Sequence, residues 1–176
     1  MALGDTGGWR AFNLIVTHLP GPGSKRRAIW TLKQLIPELT VVHSRPNILL
    51  CRVEDPIKAI EVLRSNLPPK TSILRVIPVL DVRSVRVRDV KASVEKLLLK
   101  AGEGSFAIRL DGHLEDDNGR LMSRRESIEV IASDIDRRVN LRNPDILVYV
   151  KAVKFGRRWV AAIYVGSPSN ILSTVK

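Results

Sequence analysis

The stretch VNLRNPDILVYVKAV, residues 139–153, decides how the chain is built. Asn143 and Pro144 break whatever precedes them, and from Ile146 to Lys154 the composition turns β-branched, aliphatic and aromatic, which is that of a strand. A second such run, Trp159 to Val165, follows the punctuation Phe155, Gly156, Arg157 and Arg158. Both runs are apolar on both faces, unlike a strand with one face in water. The pattern predicts interior strands covered on two sides, in a three-layer or wrapped α/β unit.

Upstream of it, Ser123 and Glu126 have the spacing of a capping box, and Ile128, Ile131, Ala132, Ile135 and Val139 form the apolar stripe of the helix it opens. Phe106 to Leu110 reads as a strand. Between the two, Asp111 to Gly119 is an acidic loop closed by the turn pair Asn118 and Gly119. Val90, Val94, Leu97, Leu98 and Ala101 mark another helix, stopped by Gly102 and Gly104, and Val82 to Arg88 reads as a charged connector before it.

The first half follows a different plan. Phe12 to Thr17 is a strand run ended by Pro20, Gly21, Pro22 and Gly23. Ser24 is placed to cap a helix with Ala28, Ile29, Leu32, Leu35 and Ile36 on its buried side. Leu39 to His43 and Ile48 to Val53 read as a hairpin turning through Ser44, Arg45, Pro46 and Asn47. Asp55 and Pro56 are an N-cap and an N1 proline for a second helix through Ile57, Ile60, Leu63 and Leu67, and Ser72 to Leu80 is a last strand. The order βαββαβ is the ferredoxin-like plan, so the fold class is α+β or α/β. The expected division is a tail over 1–10, a ferredoxin-like domain over 11–81, a second α/β domain over 82–168 and a tail over 169–176.

Charge narrows the function. Lys and Arg total 29 against 18 Asp and Glu, a formal net charge of +11 over 176 residues. Residues 1–81 hold 11 basic and 6 acidic groups and residues 82–176 hold 18 and 12, so the excess is not a tail. Arginine dominates it, and the planar guanidinium suits phosphate, which points to a nucleic-acid partner. The single cysteine, Cys51, excludes an internal disulfide framework and reads as an inert buried thiol. No apolar run approaches a membrane span, and the expected location is the cytoplasm.

Catalytic chemistry has little to stand on. His18 and His43 lie at predicted strand ends without a nucleophile beside them. Gly21 to Lys25 lacks the spacing of a phosphate loop. Asp111, Glu115, Asp116, Asp117 and His113 lack an ordered ligand pattern and read as a solvated turn. No catalytic residue, metal or cofactor is expected, and the chain is read as a non-enzyme. The basic residues are the better candidates. Arg124 and Arg125 stand in the first turn of a helix whose free N–H groups favour anions. Lys151, Lys154, Arg157 and Arg158 crowd the last strand junction, and Arg109, Arg120 and Arg142 are expected on the same edge. Lys25, Arg26 and Arg27 form a second group at the first helix start.

FAIRL at Phe106 to Leu110, SRRESIEVIASDI at Ser123 to Ile135, and the turn Leu141, Asn143, Pro144, Asp145 before a β-branched strand resemble the THUMP domain of tRNA-modifying proteins over Phe106 to Gly166. The ferredoxin-like plan before it is similar to the N-terminal domain that accompanies THUMP. The acidic residues after Leu110 depart from the family, which carries more arginine there. The resemblance implies binding of the acceptor end of tRNA, with chemistry in a separate domain such as a methyltransferase or 4-thiouridine synthetase module. With residues 167–176 following Gly166, no such module is expected within these 176 residues. The layout resembles the stand-alone adaptor of tRNA cytidine acetylation, implying presentation of tRNA to an N4-acetylcytidine-forming acetyltransferase. Two rivals are an RNA-recognition-motif-like single-strand binder, which lacks the stacking aromatics on its strands, and a tRNA-modifying enzyme using His113 and the acidic loop.

Overall fold

The computed structural model describes residues 12–175; the tail expected over 1–10 lies outside them. The chain divides into two compact units, one running to Val79 and including the chain from Ser169 onward, the other spanning Leu80–Pro168.

The first unit runs β1 (Leu14–His18), α1 (Pro22–Leu35), β2 (Thr40–Arg45), β3 (Ile48–Arg52), α2 (Pro56–Asn66) and β4 (Ile73–Pro78). β1 is antiparallel to both β3 and β4, and β2 pairs on the far side of β3, giving the ferredoxin-like order. Leu14, Val16, Leu49 and Cys51 alternate onto the face covered by Ala28 and Leu32 of α1 and Ile60 and Leu63 of α2. Asp55 caps α2 as expected, its Oδ1 accepting from the N–H groups of Ile57 and Lys58 at 3.1 and 3.2 Å. Ser24 does not cap α1. The helix begins at Pro22 behind Gly21, and Ser24 is buried inside its first turn, where its Oγ accepts from Arg27. The β2–β3 turn is tighter than expected: Ser44 and Arg45 stay in the strand, and Asn47 takes the left-handed position at φ 66°.

Burial pushes the Cys51 thiol up to about 12. Iodoacetamide at pH 8 is therefore expected to label Cys51 only once denaturant opens this unit; labelling of the native protein at the rate of a free thiol would contradict the buried assignment.

The second unit contains β5 (Asp81–Ser84), α3 (Val87–Lys100), β6 (Phe106–Asp111), α4 (Arg124–Ala132), β7 (Ile146–Phe155) and β8 (Arg158–Gly166). Its sheet has the order β5-β8-β7-β6, with β6 and β7 parallel and the other neighbours antiparallel. β7 and β8 are thus the interior strands that their two-sided apolar pattern predicts. α3 and α4 both pack on one face, over Val148, Val150, Ala161, Ile163 and Val165, so the helices do not form the two outer layers of a three-layer unit. Tyr149, Ala162 and Tyr164, on the other face by register, are buried as well.

Three local expectations are corrected. Residues 81–84 are not a connector but strand β5, paired with Ile163 to Val160 of β8. Asp81 anchors it: burial raises the carboxyl's pKa, but hydrogen bonds from Ser93 and Arg83, the Arg83 charge and the Val82 N–H outweigh that and hold it below the usual range. α4 ends at Ala132, so Val139 lies beyond it and is exposed. The expected tail over 169–176 contains a short strand, β9 (Leu172–Ser173), that pairs with β4 at the edge of the first unit's sheet.

Candidate nucleic-acid interface

The Leu141-to-Asp145 turn sets where β7 starts. Asp145 Oδ2 accepts from the Ser105 N–H at 2.9 Å and the Ser105 hydroxyl at 3.1 Å, and the Asp145 N–H donates back to Ser105 Oγ at 3.1 Å. This pins the start of β7 beside the start of β6, with Phe106 opposite Ile146. The backbone and hydroxyl bonds from Ser105 hold the Asp145 carboxyl below the usual range, against a small opposing effect of burial and with help from Arg138. The motif's Asp is a structural clamp.

With that register fixed, the carboxyl ends of β6 and β7 open on one end of the sheet, the end at which open α/β sheets present loops to ligands. The segment with Arg120 and the start of α4 follows the end of β6, and the β7–β8 hairpin follows the end of β7. Ser123 Oγ accepts the Glu126 N–H at 3.1 Å, which leaves the earlier amides of α4 without a side-chain cap. Arg120, Arg124 and Arg157 are exposed, and their guanidinium groups have no ion-pair or hydrogen-bond partner among the described residues. Two other candidates are committed: Arg125 pairs with Glu129 at 3.1 Å, and Lys151, only 16% exposed, pairs with Asp111 at 3.7 Å.

Register also separates residues that the sequence lists together. Arg109, Tyr149, Lys151 and Arg158 share one face, where the Arg109 guanidinium stands 5.4 Å from the Tyr149 ring centre and Tyr149 Oη donates to Asp111. Lys154 and Trp159 are opposite one another on the helix-bearing face. Arg142 precedes β7 and Arg157 follows it, so the strand's 10 residues put them roughly 33 Å apart. Arg142 does not join the cluster.

In the acidic loop, Asp116 and Asp117 are both engaged. Asp116 Oδ1 accepts from the N–H groups of Asn118 and Arg120 at 2.9 and 3.0 Å, and Asp117 is 3.4 Å from Arg88. No group of three or more His, Cys, Asp or Glu side chains suited to a metal occurs among the described residues. No described helix is long and apolar enough to cross a membrane. His18 is buried, its Nδ1 donating to the Leu19 carbonyl at 2.7 Å, His43 lies within β2, and His113 is exposed.

In the first unit, Lys25 and Arg45 line one cavity beside the start of α1, and Arg27 and Lys70 line another. Lys25 Nζ is tied to Ser44 Oγ at 2.9 Å, whereas Arg26 is exposed and unpaired among the described residues. Arg45 and Lys70 are absent from the sequence-based set. Their signal there is only a basic residue beside a proline turn, and it is folding that brings them to the α1 start.

No family model matches the chain, and no curated protein matches it in sequence. Among solved structures it is similar to PH1313 from Pyrococcus horikoshii Ot3, with TM-score 0.60 and 16% identity over 88% of this chain and 54% of that one. It is also similar to a 4-thiouridine synthetase solved as an RNA complex with bound ATP, with TM-score 0.52 and 13% identity over 89% and 42%. A third is TrmN from Thermus thermophilus, with TM-score 0.50 and 18% identity over 86% and 44%. The chain spans about half the length of the solved chains it matches, and what it shares with them, at these identities, is the fold.

Proposed function

We propose that this chain binds tRNA at its acceptor end, by shape and phosphate contacts, and presents it to a separate tRNA-modifying enzyme such as an N4-acetylcytidine-forming acetyltransferase. The observation that carries the reading is that Arg120, Arg124 and Arg157, exposed and unpaired among the described residues, all lie in the segments that follow the carboxyl ends of the parallel strands β6 and β7, one of them in the first turn of α4. An arginine held without an acidic partner keeps its donors for phosphate, and free helix amides add to the same field. The THUMP-like residues of the second unit support tRNA as the nucleic acid, as does the fold shared with an RNA-bound 4-thiouridine synthetase. The Asp116 carboxylate, taken up by the N–H groups of Asn118 and Arg120, supports a binding role without chemistry of its own.

Filter binding of a folded tRNA, an acceptor-stem minihelix and duplex DNA across a salt series tests this. The expected order is tRNA and minihelix together, both tighter than DNA, with affinity falling steeply as salt rises. Equal affinity for all three would refute tRNA recognition. Turnover of tRNA by the isolated chain, abolished by His113→Ala with binding retained, would refute the non-catalytic role.

A further inference from the structure

Beside the basic hairpin lies a cavity of about 220 Å³ lined by Val85, Gly112, His113, Glu115, Leu121, Ala152 and Trp159. Its walls are unusual for a surface that water reaches: Trp159 is 56% exposed and Leu121 66%. Close backbone approach shapes the floor, since Gly112 sits at φ +97° and a Cβ there would lie 2.8 Å from Ala152 Cβ. The Glu115 backbone is fixed, its N–H donating to Val85 O at 2.8 Å and its carbonyl accepting from Val87 N–H at 2.9 Å. Its carboxylate, however, has no hydrogen-bond or ion-pair partner among the described residues. An aromatic residue, Trp159, the aliphatic residues Val85, Leu121 and Ala152, and the polar residues His113 and Glu115 therefore line the same small volume.

We propose that this cavity seats one unpaired nucleobase of the bound RNA, stacked on Trp159 and donating an amino N–H to Glu115. The proposal rests on the RNA-binding reading and names which part of the RNA this end of the sheet takes. An ionised carboxylate only accepts, so the edge against it must donate. The amino groups of adenine, cytosine and guanine do so, and uracil has none. A Lys or Arg side chain from a protein partner would also satisfy a carboxylate and a tryptophan. Charge decides against it: Lys154 stands directly opposite Trp159, with Arg157 in the adjoining turn, and these repel a cation while attracting the phosphates that flank a base.

The test uses a Trp9→Phe, Trp30→Phe background, in which Trp159 is the remaining tryptophan. Short single-stranded oligo(A), oligo(C) and oligo(U) and a blunt RNA duplex are titrated, following fluorescence and affinity together. Oligo(A) and oligo(C) are expected to quench Trp159, oligo(U) less, and the duplex to bind without quenching. Trp159→Ala should weaken single-strand binding by about tenfold and leave duplex binding unchanged, with Trp159→Phe restoring most of the loss. Glu115→Gln should abolish the preference over oligo(U). Salt-dependent RNA binding that neither quenches Trp159 nor responds to Trp159→Ala would overturn this inference alone. Loss of all RNA binding would overturn the functional reading beneath it. Quenching by a poly-Lys or poly-Arg peptide and not by any oligonucleotide would assign the cavity to a protein partner and overturn it as well.

Discussion

Replacing Arg120, Arg124 and Arg157 together by Ala is expected to lower tRNA affinity on the order of a hundredfold near 0.1 M salt, without loss of fold. Each phosphate contact contributes about 0.9 to the slope of log affinity against log salt for a duplex. Three lost contacts should therefore reduce the slope by nearly three, and the affinity difference should shrink as salt approaches 1 M. Because the three guanidinium groups have no partners among the described residues, no internal bond is lost with them. Arg124 even stands against the local field, a cation in the first turn of α4 where the helix dipole is positive, so Arg124→Ala should raise the melting temperature slightly. The control is Lys151→Ala: this residue is mostly buried and already holds Asp111, so its loss should change the slope much less. An unchanged slope in the triple variant would make this end of the sheet an ordinary solvated surface and move the search to the start of α1.

The contrast between those two sets shows what the sequence makes legible and what it does not. The first unit's plan can be read because breakers mark its joints: Pro20 to Gly23, Asp55 with Pro56, and Pro68 with Pro69 each stop one period and start another. β5 cannot be read in the same way. Asp81–Ser84 has one fully buried residue, Val82, and is a strand only because β8 lies alongside it. The apolar stripe runs past the end of α4 because Ile135 continues it and stays partly buried, although the helix has already closed on Ser133. For the interface, residue types were legible and partners were not. Lys151 and Arg157 look alike in sequence, but the parallel pairing of Asp111 with Lys151 commits one and leaves the other available. Trp159 likewise reads as a strand residue until the register puts it opposite Lys154 and at the mouth of a cavity.

Gly104→Ala should destabilise the second unit by about 2–3 kcal/mol, a loss large enough to lower its melting temperature by roughly 10–20 °C. Two effects act in the same direction. Gly104 has φ +137°, which an L-residue with a Cβ rarely adopts, and that Cβ would fall 2.7 Å from Asp145 Cβ. Relief requires moving Asp145, which breaks its hydrogen bonds with Ser105 and shifts β7 against β6. The damage should therefore appear first as faster amide exchange at the starts of these two strands. A pH series separates the two effects. The Asp145 carboxyl is held below its ordinary 3.8, so the stability it contributes is complete above that pH and is lost as pH falls through its lowered folded value. Asp145→Asn should flatten that acid limb while leaving Gly104 undisturbed, whereas Gly104→Ala should cost stability at every pH and, by displacing the carboxylate, flatten the limb too. A Gly104→Ala protein that melts with the parent would show that the β6 and β7 starts tolerate displacement, and the motif would then need a role other than setting the register that aims the basic end of the sheet.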